Sequence, residues 1–330
     1  MIRLSLLCIN SMAGVLIDYF PRREVYVLNK NYVAFLDMVM NCIRNVYKEE
    51  VIVERSVSTK NNGVQMEGLM LRKVGEQIAP NFYLNQQFEE WKQGTKSLYD
   101  IVTDICHVFE EELQNNQHLA ETICFEWDKM KQSIFLRLIN RDKNKELLKK
   151  VPYMEFMDLA VVYFYSIDIA DDVQGTVILT KEHQKLLGIT KEELHQKAVE
   201  NTKRFRPVKL YQMGDLIDSV GQKLGVEGLE FNTEINFMYL FSNENNMFGA
   251  VAMFFEEELK KLAERLQCNF YILPSSVHEV ILVPDNTMIS LEKFLEMVKE
   301  INETQVKETE VLSDSVYYYD KKIESLRRIG

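Results

Sequence analysis

Residues 269–284 run Asn-Phe-Tyr-Ile-Leu-Pro-Ser-Ser-Val-His-Glu-Val-Ile-Leu-Val-Pro, two apolar stretches around a short polar tip. Aromatic and β-branched residues fill a pleated surface, and proline and serine turn a chain, so the pattern predicts a β-hairpin. A hairpin commits its neighbourhood to an antiparallel sheet. The tip is expected to present its polar side chains, and it holds Ser275, Ser276, His278 and Glu279, a tight cluster of hydroxyl, imidazole and carboxylate.

A serine activated by an imidazole that a carboxylate orients is the general scheme of nucleophilic catalysis, and these four residues are the candidates for it. Strand geometry opposes the scheme, since adjacent residues 278 and 279 point to opposite faces. No Gly-x-Ser-x-Gly elbow is present to supply an oxyanion hole. The same residues serve equally as a binding surface or as turn chemistry in which proline and serines shape the loop.

The rest of the chain alternates helical and strand patterns. Val33, Leu36, Val39, Met40, Ile43 and Val46 recur at helical spacing. Residues 51–57, 64–74 and 78–84 then read as a three-stranded meander turned at Asn61-Asn62-Gly63, and 98–113 as a second helix. In the middle of the chain, 133–140, 158–167 and 176–179 read as strands and 121–130 as a helix. Thr180 and Thr190 stand as N-caps of two helices separated by Gly188, Thr190 with Glu193 forming a capping box. Residues 205–211 read as a strand with Pro207 at an edge. Beyond a glycine-bearing linker at 221–228, strand 237–241, helix 247–266, the hairpin, a helix capped by Ser290 and strand 315–319 give the order β-α-β-β-α-β.

These readings predict an α+β fold of several units, antiparallel sheets with helices packed on one face. The expected divisions are an N-terminal extension at 1–30, a helix–meander–helix unit at 31–118, a central α+β unit at 119–220 and a C-terminal unit at 221–330. Residues 4–17 are apolar but too short to span a bilayer. They lack a small-x-small cleavage site, so an extension or packed segment is expected rather than a leader.

Five scattered cysteines with no Cys-x-x-Cys spacing fit reduced thiols in a cytoplasm. A formal charge of −11 disfavours nucleic acid and anionic lipid as partners. The basic groups Arg72-Lys73, Lys203-Arg204-Phe205-Arg206 and Arg327-Arg328 are short, and each reads as a solvated face or helix end. The helix pair around Gly188 has the length of a helix-turn-helix, but three glutamates on its second helix would face phosphate. No metal is expected, because His107 and His118 near Cys106 and Cys124, and His183 with His195, lack ligand spacing. No cofactor motif is present either. The expectation is a non-enzymatic protein binding a protein partner or small ligand at Ser275, Ser276, His278 and Glu279, with a hydrolase or transferase at the same tip as the alternative.

Several long segments occur in order: Asn61-Asn-Gly63, Ile78-Ala-Pro-Asn-Phe-Tyr-Leu84, Asp158-Leu-Ala160, Phe248-Gly-Ala250, Ile272 to Leu282 and Leu312-Ser-Asp-Ser-Val-Tyr317. On these the chain resembles a bacterial domain-of-unknown-function family, DUF5688, from about Tyr32 to the C-terminus, with residues 1–30 outside the likeness. The resemblance implies a bacterial α+β protein and no catalytic residue.

Overall fold

A computed structural model describes residues 30–75, 79–122, 126–170, 173–216, 237–274, 276–287 and 289–330. Backbone contacts group these into two compact units. One takes in residues 126–166 and the described residues from 176 to 330; the other takes in the described residues from 30 to 122 together with 167–170 and 173–175. The expected linker at 221–228 lies outside the described residues.

In the smaller unit, helix α1 (Lys30–Tyr47) lays its apolar stripe on a three-stranded sheet ordered β1 (Val51–Thr59), β2 (Gln65–Lys73), β3 (Asn81–Phe82). The expected meander is present, with a shorter third strand. Asn62 and Gly63 turn it at φ of 62° and 72°, a left-handed backbone that asparagine and glycine adopt with least strain. Helices α2 (Asn85–Lys92) and α3 (Leu98–Thr122) complete the unit, and Phe35, Leu36, Leu69, Leu71, Ile101 and Phe109 share its core.

The larger unit begins with α4 (Trp127–Met130) and a sheet ordered β4 (Ile134–Asn140), β6 (Leu159–Ala170), β5 (Tyr153–Phe156), joined by β7 (Val173–Ile178) on β6, with α5 (Lys145–Leu148) between β4 and β5; the end of β6 from 167 and the start of β7 to 175 group with the smaller unit. Two helices follow, α6 (Lys181–Leu187) and α7 (Lys191–Phe205). Thr180 and Thr190 cap them in two reciprocal boxes, Thr190 with Glu193 as expected and Thr180 with His183. Residue 205 stays helical rather than opening a strand. The residue before a proline is driven out of the helical region, so α7 ends at Arg206 (φ −132°, ψ 58°) and strand β8 (Val208–Gln212) starts only after Pro207.

Strand β8 is the first of a six-stranded sheet that also contains β9 (Tyr239–Asn243), β10 (Phe270–Leu273), β11 (Val280–Pro284), β12 (Tyr317–Asp320) and β13 (Ser325–Arg328), in the order β13-β12-β10-β11-β9-β8. The expected hairpin is there as β10 and β11, paired from Phe270 with Pro284 to Leu273 with Ile281. Helix α9 (Leu291–Thr304), capped by Ser290, packs Phe294, Met297, Val298 and Ile301 against Leu240, Leu273, Ile281 and Val283. All five residues of β11 are buried, so the sheet is covered on both faces at this central strand. Residues 247–266 are not one helix. Phe248 sits at φ 57°, ψ 30°, residues 249–254 form a 3-10 segment, Phe255 is extended, and α8 (Glu256–Leu266) starts afresh. Residues 249–253 are all buried, and that tight placement against β9 sets the break. The fold is α+β.

A buried carboxylate joins distant parts of this unit. Asp158, at the turn between β5 and β6, accepts hydrogen bonds from Tyr317 Oη (2.6 Å), Ser313 Oγ (2.6 Å) and Ser315 Oγ (3.2 Å). Nearby, the Asn140 amide donates to Leu312 O and the Asn302 amide to Ser313 O. The Tyr317 phenol is held well above its usual titration range by burial and by the charge of Asp158.

Candidate functional site

The hairpin tip is enclosed, contrary to the expectation that it presents polar groups. The segment between α9 and β12 crosses it, with Val277 N–H donating to Glu310 O (2.9 Å) and Ser276 bridging to Val311. Ser276 has 0% of its surface exposed and Glu279 6%. The Ser276 hydroxyl donates to Glu279 Oε1 (3.0 Å) and its oxygen accepts the N–H groups of His278 (3.0 Å) and Glu279 (3.3 Å). Ser275 lies outside the described residues.

The His278 ring makes its contacts elsewhere, the chain at 277 and 278 being bent and not extended as strand. Its ring stacks on Phe248 at 5.4 Å and 16°, and its Nδ1 accepts the Phe248 N–H (3.3 Å). Burial pulls the imidazole down to about 4, with the charges of Arg137 and Lys307 adding to the effect and the Asn246 backbone opposing it, so the ring is neutral at neutral pH. Burial pushes Glu279 up to about 7, Glu310 adding to the rise and the Ser276 hydrogen bond resisting it. The structure therefore brings Ser276 and Glu279 together and leaves His278 apart.

Phe248 is the centre of a second cluster that sequence reasoning missed. On β4, residues 135 and 137 share one face, and their β6 partners are Phe164 and Val162. The Arg137 guanidinium lies over the Phe248 ring at 4.2 Å, and Phe248 meets Phe164 edge-on at 4.9 Å. Arg206, directly after α7, lies over Phe135 at 4.3 Å and Phe164 at 5.3 Å. It is 5% exposed, which corrects its reading as part of a solvated face. Among the described residues its one hydrogen bond is a long one, 3.4 Å from a terminal nitrogen to Met247 O. The Nε atoms of both arginines are enclosed and have no hydrogen-bond partner. Burial draws both guanidinium groups down to about 10, Glu310 partly offsetting this for Arg137, and both remain charged at neutral pH.

The Asn243 side chain fixes the loop that carries Phe248, donating to Met247 O (3.0 Å) and accepting Met247 N–H (3.2 Å). Gly249 lets the loop approach the sheet. A Cβ there would collide with Ser242 Oγ and stand 2.7 Å from both Asn243 N and His278 O, two backbone atoms that cannot move aside cheaply. Gly249→Ala is expected to cost about 3 kcal/mol of stability. A urea midpoint equal to wild type would show a looser approach.

The sequence signal for Arg137 was a charge at an interior position of the apolar strand Ile134-Phe-Leu-Arg-Leu-Ile139. For Arg206 it was the proline that follows, which stops the helix and turns its last side chain back. A separate pocket of about 430 Å³ is lined by Tyr153, Pro152, Lys181, Lys185, Ile189 and Lys191. Among the described residues no group of three or more histidine, cysteine, aspartate or glutamate side chains stands together as a metal site, and no helix is long and apolar enough to cross a membrane.

A family model described as a family of unknown function (DUF5688) matches residues 32–321. The chain belongs to this family. Every residue of the hairpin tip, the Phe248 cluster and the Asp158 junction falls inside the DUF5688 match. Two of the junctions unite segments on which the resemblance rested, Asp158 with Ser313–Tyr317 and Phe248 with His278. No curated protein and no solved structure matches the chain.

Proposed function

We propose that this DUF5688 protein is a non-enzymatic binding protein of the bacterial cytoplasm, taking a small ligand at the face formed by Phe248, His278 and Arg137 beside the hairpin tip. The enclosure of Ser276 carries the reading. An oxygen with no exposed surface, already making three hydrogen bonds, is reached by no substrate, whereas Phe248, His278, Arg137 and Glu310 are each only partly buried. A partly open face with an aromatic ring, a neutral imidazole and a cation suits ligand binding. The three described cysteines are free thiols, in keeping with a reducing compartment.

A fluorophosphonate probe separates this reading from the hydrolase or transferase alternative, because only an activated serine reacts. Purified protein is expected to remain unlabelled at neutral pH. Labelling abolished by Ser275→Ala or Ser276→Ala would overturn the binding reading in favour of an enzyme.

A further inference from the structure

Resting on that reading, we propose that the ligand carries an oxyanion, a phosphate or a carboxylate, and that Arg137 and Arg206 receive it. Each guanidinium has five N–H donors in one plane. Stacking on phenylalanine occupies the flat faces and leaves the donor-bearing edges for a partner. Of these two sets of donors, the structure uses one, in the long bond from Arg206 to Met247 O. Among the described residues, both Nε–H groups are shut away from water without a partner and neither arginine forms an ion pair.

Burying a charge in this way costs more than stacking on a phenyl ring returns, so the arrangement lacks a counter-charge. Among the described residues the surrounding groups do not supply one. Glu310 acts on Arg137 only through space, Glu279 is drawn toward its neutral form, His278 is neutral, and Lys307 adds positive charge to the same neighbourhood. The result is a local positive site on a chain of formal charge −11, with an aromatic platform next to it. An oxyanion meets both needs, because two of its oxygens match the edge of a guanidinium in a bidentate pair.

Isothermal titration of the full chain with inorganic phosphate, acetate and benzoate, at constant ionic strength in chloride, tests the assignment. Saturable binding of at least one of them is expected, weakened at least about tenfold by Arg137→Met or by Arg206→Met and unchanged by Lys181→Gln. Binding of phosphate alone assigns a phosphate ligand, and binding of acetate or benzoate alone assigns a carboxylate. Absence of saturable binding by all three in the wild-type protein overturns the proposal without recourse to any variant, as does unchanged affinity in folded Arg137→Met. Should neutral aromatic fragments bind and be lost in Phe248→Ala while no oxyanion binds, the oxyanion assignment falls and the binding reading stands. Serine labelling brings down the binding reading itself.

Discussion

Asp158→Ala is expected to remove roughly 2–6 kcal/mol of stability, at about 1–3 kcal/mol for each of two buried hydroxyls left without an acceptor. The two are those of Tyr317 and Ser313, and the half-buried Ser315 hydroxyl converges on the same carboxylate. Against a total stability of about 5–15 kcal/mol for a typical folded domain, that loss leaves the larger unit marginal. Tyr317→Phe removes one partner and keeps the other two, so about 1–2 kcal/mol is expected from it. Urea unfolding followed by far-ultraviolet circular dichroism measures both. A loss below about 1 kcal/mol for Asp158→Ala would mean that the hydroxyls find other acceptors, and that the junction is incidental to stability.

The second large effect concerns pH, where two adjacent side chains pull in opposite directions. Glu279 titrates near 7 in the fold against 4.5 for an ordinary glutamate, so the folded state holds its proton more tightly. Its contribution to stability is present below about pH 4.5 and falls by roughly 3 kcal/mol as pH rises through 7. His278 titrates near 4 against 6.5, so the unfolded state takes up the proton first. Its contribution is present above pH 6.5 and falls by roughly 3 kcal/mol as pH drops through 4. Between about pH 4.5 and 6.5 the two slopes oppose each other, and wild type gains little net slope from the pair. Single variants are expected to unmask them. Relative to wild type, Glu279→Gln becomes more stable by roughly 3 kcal/mol as pH rises from 4.5 to 7, and His278→Gln becomes less stable by a similar amount from pH 4 to 6.5. Guanidinium titrations across that range decide it, and difference curves that stay level would show that neither group is held away from its ordinary titration.

The parts of this architecture that follow local rules were legible in the residues. The hairpin, the caps at Thr180, Thr190 and Ser290 and the turn at Asn62-Gly63 each depend on neighbours within a few positions. The order β-α-β-β-α-β followed from those elements. Strands β5 and β13 and helix α2 escaped notice because each is short and without a clear period. The break at Phe248 escaped for a different reason. Residues 247–266 have helical composition, and contact with β9 outweighs that propensity.

The candidate site was legible only in part. The strand argument that set Glu279 and His278 on opposite faces does not apply, because the chain bends at 277 and 278, and the His278 ring finds its partner in Phe248 instead. The burial of the tip did not follow, because the cover comes from residues 310 and 311, more than 30 positions along the chain. A polar tip reads as exposed until its cover is known. Arg137 and Arg206 belong to β4 and to the end of α7, and only the assembled sheet brings both to the rings of one aromatic cluster.

The Asp158 junction also sets a schedule for the growing chain on the ribosome. The carboxylate emerges 155 residues ahead of Ser313 and 159 ahead of Tyr317. At about 5–20 residues per second of synthesis, it waits on the order of 10–30 s before its hydroxyl partners exist. During that interval the turn after β5 stays hydrated, and the first sheet of the larger unit has no lock to β12. Closure thus comes long after β5 and β6 are made, and until then those apolar strands depend on other means to stay out of aggregates.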